Sequence, residues 1–209
     1  MSFTRQFSRG ELKLGRIEAF SDGVFAIIVT LLVLELKLPI LRHATDVHEL
    51  SWQLMDMLPK LMSWLISFFI VCKFWLNHHH ILGLARHANY GMVWLNSIFL
   101  MAQSFVPFPT ALMGEYPENP LAVSCFGVVM AVNTLLFMML HAYILRNLLK
   151  PELAATVPSN IMRKSLLGPL AYLLGAGVAW FSAYTAFVIY LVTPLIFITP
   201  AQNEPRPKG

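Results

Sequence analysis

Five stretches of this chain stay apolar for longer than the core of a small globular domain requires. They cover residues 17–38, 58–76, 90–112, 121–145 and 166–198. A helix that crosses a bilayer needs about 20 mostly apolar residues, because the hydrocarbon core is roughly 30 Å thick and each residue rises 1.5 Å. The first four stretches meet that length once each. The fifth reaches about 50 Å as helix, too long for one crossing and enough for two short ones. Composition agrees. Of 209 residues, 57% are hydrophobic and 12% charged, and 15 basic with 11 acidic side chains cannot clothe a soluble protein of this size. A disulfide scaffold is excluded because both cysteines, Cys72 and Cys125, lie inside apolar runs. Nucleic acid is not an expected partner: the pI of 9.2 comes from few charges, with no basic patch interleaved with aromatics.

The chain is therefore read as all-α, a polytopic membrane protein forming one domain over residues 1–209. Six spans are expected, over 17–38, 58–76, 90–112, 121–145, 166–180 and 183–199, with the last division near Trp180–Ala183. Basic residues orient them. With the N-terminus in the cytoplasm, Arg5, Arg9, Lys13, Arg16, Arg86, Arg146, Lys150, Arg163, Lys164, Arg206 and Lys208 fall inside. Lys37, Arg42 and Lys60 fall outside, and Lys73 lies within span two. This distribution follows the positive-inside bias and places both termini in the cytoplasm. No cleavable signal is read, because the first apolar run is long and has no small-residue cleavage site.

Span one carries most of the chemistry. Asp22 lies one and a half turns inside its start, on a face shared with Glu18, Ala26 and Val29. Ile27, Leu31, Leu34 and Leu38 form a separate stripe, with Gly23 extending it and Thr30 at its edge. Two readings of that stripe compete: contact with lipid or bundle core, or the wall of a pore built from the same helix of several subunits. Branched aliphatics can narrow and gate a pore by dewetting. For Ser21 and Asp22, helix packing competes in the same way with ion handling.

Arg16-x-x-x-Phe20-Ser21-Asp22 resembles the RxxxFSD signature of the transmembrane protein 175 family, potassium channels of bacterial membranes and of animal endosomes and lysosomes. The likeness continues through Pro39. It extends to Trp75 with the histidines that follow, and to Asn96 with Pro107-Phe-Pro-Thr110. The resemblance implies a homotetramer in a bacterial inner membrane, with the first helix lining the pore. It further implies a constriction at Ile27, aliphatic layers at Leu31 and Leu34, and a hydroxyl layer at Thr30. Arg16, Phe20, Ser21 and Asp22 would then form a packing keystone for that helix. Ala26 departs from relatives that carry a hydroxyl just before the constriction, which implies weaker selection wherever that hydroxyl contributes.

No Thr-Val-Gly-Tyr-Gly segment is present to replace the ion's hydration shell with backbone carbonyls. Potassium is the permeant ion expected, partly hydrated and moderately preferred over sodium. No cofactor is expected. His78, His79 and His80 point about 100° apart on a helix, so a metal site is not read there. Instead, His79 is expected below Trp75, hydrogen-bonded toward Ser21, Asp22 or Asn96, with His78 and His80 at the interface. Glu35 and Lys37 are read as an outer anchor, with a ring of Glu35 carboxylates at the pore mouth as the alternative. Lys73 is expected to snorkel, and Pro107 and Pro109 to kink or end span three. No catalytic motif appears. The function expected is passive potassium flux. Its rivals are proton leak through the same pore, a secondary transporter, which would want inverted repeats that are not visible, and a purely structural membrane protein.

Overall fold

The computed structural model describes residues 13–155, 157–158 and 160–196, all of it helix, turn and loop. Arg5, Arg9, Arg206, Lys208 and residues 197–199 of the sixth expected span lie outside these. The helices are α1 (Leu14–Leu34), α2 (Val47–Asp56), α3 (Leu58–Gly83), α4 (Tyr90–Ser104), α5 (Pro107–Glu115), α6 (Pro120–Asn147), α7 (Ile161–Ser165), α8 (Leu167–Val178) and α9 (Ala183–Ile196).

Four helical stretches are long and apolar enough to cross a membrane: α1, α3, α4 with α5, and α6, of 21, 26, 26 and 28 residues. The last apolar region is divided into α8, of 12 residues, and α9, of 14, with the interruption over Ala179–Ser182. Among the described residues the chain is thus an all-α membrane protein with four candidate spans, followed by the shorter helices α8 and α9.

Several helix ends differ from the sequence expectation, each for a local reason. Span one is helical only to Leu34, so Leu38 is not part of its stripe. Pro39 has no N–H to offer the Glu35 carbonyl and biases Leu38 away from helical torsions. The second helix does not stop at Leu76 but runs to Gly83. The Asn77–His80 stretch lowers hydropathy without containing a helix breaker. The third span is broken at Phe105–Val106, where Pro107 and Pro109 remove backbone donors, and resumes as α5. The loop after span one contains α2, capped by Asp46, which accepts from the His48 and Glu49 amides.

Packing places α1 against α3, α4 and α5, while α6 sits among α4, α5 and α8. Tyr190 of α9 fills the junction of α6 and α8, and its hydroxyl donates to the Val123 carbonyl at 3.0 Å. Gly127 and Gly175 make this possible, because a Cβ at either position would overlap the Tyr190 side chain. At the end of the bundle where α1 begins, the α3–α4 turn pairs with the end of α6. Arg86 N donates to Leu148 O at 2.9 Å and Lys150 N to Leu84 O at 3.0 Å. The Lys150 ammonium caps the last turn of α3 through Gly83 O at 2.7 Å. At the opposite end, Lys60 and Glu115 form an ion pair at 2.7 Å.

Candidate pore-lining helix and its polar anchor

Helix α1 has two faces of unlike environment. Ser21, Phe25, Ile28 and Leu32, spaced i, i+4, i+7 and i+11, are buried against the rest of the chain. Gly23, Ile27, Thr30 and Leu34, with the same spacing, are exposed along the other side, with Leu31 at their edge. Ile27 is 59% and Leu34 69% exposed. Of the four candidate spans, α1 is the least covered by its own chain.

Thr30 is the polar point on the open face. Its Oγ1 donates back to the carbonyls of Ala26 at 3.0 Å and Ile27 at 2.9 Å. The hydroxyl proton is therefore held by the helix, and the exposed oxygen keeps its capacity to accept. That geometry suits a ligand for a cation.

A directed hydrogen-bond chain fixes the buried face. His78 Nε2 donates to Asn96 Oδ1 at 2.6 Å, and Asn96 Nδ2 donates to Ser21 Oγ at 3.0 Å. Ser21 Oγ then donates to Ile17 O at 2.8 Å. Three candidate spanning helices are joined through three buried side chains, where each lost partner is costly. The His78 ring stacks on Phe99, with centroids 5.7 Å apart, and tilts against Phe25 at 5.5 Å. Beside this core, Trp75 Nε1 donates to Asp22 Oδ1 at 2.8 Å, a second tie between α1 and α3.

The site residues expected from sequence separate as follows. Ser21, Asp22, Trp75 and Asn96 are brought together. His79 is not in the network: its ring lies 6.4 Å from that of Trp75, it is exposed, and His78 makes the bond assigned to it. The reason is register. Phe74, His78, Ile81 and Leu82 form the buried side of α3, and position 79 is rotated 100° from it. The i, i+4 spacing from Phe74 to His78 was the signal available. Arg16 and Phe20 face outward, and the Arg16 side chain makes no hydrogen bond or ion pair among the described residues. Among the described residues, Ser21 and Asp22 are the members of the signature that bond to other helices. Ile27, Thr30, Leu31 and Leu34 share the open side. Glu35 and Lys37 border a cavity of about 210 Å³ next to the Lys60–Glu115 pair.

Comparison with known proteins identifies the family. The family described as "Endosomal/lysosomal potassium channel TMEM175" matches residues 16–107. A potassium channel of Chamaesiphon minutus is 34% identical over 188 residues, covering 88% of this chain and 92% of its own. The crystal structure of a lysosomal potassium-selective channel TMEM175 homolog from the same organism superposes with a TM-score of 0.76 at 33% identity, covering 91% of this chain and 98% of that one. The human endosomal/lysosomal proton channel TMEM175 is 23% identical over 189 residues, covering 88% of this chain but 37% of its own length. Signature, anchor and whole-chain similarity lead to one assignment: this chain belongs to the TMEM175 family.

Proposed function

We propose that four copies of this chain assemble into a potassium-permeable cation channel whose wall is the open face of α1. The observation that carries the reading is that face itself, an apolar stripe left open by its own chain and interrupted by one exposed hydroxyl. That hydroxyl donates to its own helix and can still accept, so it can serve as an oxygen ligand in a wetted pore. The bacterial relative's printed name as a potassium channel supports the choice of ion.

In this reading Ile27 forms the narrowest ring, and Leu31 and Leu34 form further apolar layers toward the C-terminal end of α1. An apolar ring excludes water when narrow and passes an ion only when wetted, so it serves as both neck and gate. Potassium holds its hydration shell less tightly than sodium and crosses such a neck at lower cost. Thr30 oxygens, one turn from Ile27, replace part of the lost hydration. Selection is accordingly moderate. The Ser21–Asn96–His78 chain and the Asp22–Trp75 bond hold the helix at the angle that keeps the ring closed.

Six crossings per subunit complete the reading. The helical path through α7 and α8 covers about 27 Å from Ile161 to Val178 at 1.5 Å per residue, and α9 returns. Arg86, Arg146, Lys150, Arg163 and Lys164 then share the side on which α1 begins. That side is the cytoplasmic face of a bacterial inner membrane, with both termini there.

The test is the reversal potential of the purified protein in a planar bilayer under opposed potassium and sodium gradients. It should be displaced toward the potassium equilibrium potential, and Ile27→Asn should enlarge the current several-fold while moving the potential toward zero. A potential that follows an imposed proton gradient instead would replace potassium by protons as the permeant ion. Absence of current with correctly assembled protein would contradict a channel.

A further inference from the structure

Helix α2 is built the wrong way round for a helix that rests on its own chain. Val47, Leu50 and Leu54 lie at i, i+3 and i+7, and Met55 widens the same apolar face. Glu49, Gln53 and Asp56 occupy the other side. The polar face is the one turned toward the chain. Glu49 Oε1 and Oε2 accept from Arg42 N at 2.9 and 3.1 Å, and Oε2 accepts from His43 N at 3.2 Å. Gln53 Nε2 donates to Ile40 O at 3.0 Å. The apolar face is turned away: Val47 is 78% and Met55 62% exposed, and no residue of α2 is buried.

The position of α2 says what covers that face. Only Met57 separates it from α3, a 26-residue helix of about 39 Å against a hydrocarbon core of roughly 30 Å. The apolar part of α3 begins at its first residue and spans 58–76, so α2, one residue before it, stands where the chain enters the hydrocarbon. On α3 itself, exposed Met62, Phe69 and Leu76 follow one another at seven-residue intervals, so the spanning helix next to α2 also has an open apolar side. Trp52, 72% exposed, lies between the apolar and polar faces, the place an indole takes at a membrane surface.

We propose that α2 is an interfacial helix, its apolar face inserted into the leaflet at the C-terminal end of α1. Its polar face holds residues 40–43, the segment that follows the pore-lining helix. The bilayer surface thus positions the outer end of α1 through Glu49 and Gln53. Asp46, Glu49 and Asp56 leave α2 without a basic face, so apolar insertion suffices and anionic lipid is not needed. The placement does not depend on which ion the pore passes.

The variants Val47→Cys, Leu54→Cys and Met55→Cys, with Gln53→Cys and Asp56→Cys as the polar-side comparison, test this in a Cys72→Ala/Cys125→Ala background. Each is spin-labelled in phosphatidylcholine proteoliposomes, and collision with oxygen is compared with collision with a water-soluble nickel chelate. Variants that elute as the unmodified protein does are scored. The expected pattern is a several-fold higher oxygen-to-nickel ratio at 47, 54 and 55 than at 53 and 56. High nickel access at all five sites would place α2 in water and overturn the proposal. Immobilised labels shielded from both reagents at 47, 54 and 55 would place a second copy of the chain on the face and overturn it equally.

Discussion

The two faces of α1 are composed almost alike and are used in opposite ways. Each has one hydroxyl among aliphatic or aromatic neighbours, and each hydroxyl donates to the backbone of its own helix. The difference is what reaches the oxygen. Ser21 Oγ accepts from Asn96, whereas Thr30 Oγ1 accepts from nothing among the described residues. Which side of the helix packs into the chain and which stays open therefore follows from where polar partners are placed, not from hydrophobicity. Ile27 and Ile28 are neighbours of identical chemistry, one 59% exposed and one buried.

Substituting those neighbours should separate the faces most sharply. Ile28→Asn places an unpartnered amide in the core and should cost roughly 2–5 kcal/mol, seen as loss of assembled protein and a lower unfolding temperature in detergent. Ile27→Asn should leave stability near that of the unmodified protein and act on conduction alone. Next in size is the anchor. Asn96→Ala removes the middle of the hydrogen-bond chain and strands His78 and Ser21, at a cost of about 1–3 kcal/mol, with selectivity unchanged in the surviving assembly. Trp75→Phe keeps the ring and removes the indole donor to the exposed Asp22, so a loss of about 1 kcal/mol is expected in the same unfolding measurement. The smallest effect belongs to His79→Ala, within about 0.5 kcal/mol. If His79→Ala destabilised more than His78→Ala, the register of α3 described above would be wrong.

Much of this was legible in the sequence, and the misreadings have physical causes. Apolar length located the four long helices, and the prolines at 107 and 109 marked the break between α4 and α5. Trp75 and Asn96 were singled out by the family likeness and by the bond expected of His79, while the Trp75–Asp22 bond was not foreseen. The histidine was missed because three in a row offer no periodicity of their own; the phase comes from Phe74 and Ile81 on the same helix. Helix α2 went unread although Asp46 and Glu49 give it a start signal, because its ten residues are too few to span and its polar side hides the apolar one. Arg16 and Phe20 belong to the signature yet touch little inside one chain, so a single sequence could not say whether their contacts lie within or between subunits.

The claim that the open face of α1 lines the pore is tested most directly by thiol modification during current recording. In the Cys72→Ala/Cys125→Ala background, a water-soluble methanethiosulfonate should reduce or abolish potassium current through Leu31→Cys or Leu34→Cys channels. It should leave the Ile28→Cys and Leu32→Cys channels unaffected. Equal sensitivity at all four positions, or modification confined to 28 and 32, would contradict the assignment of the pore to this face.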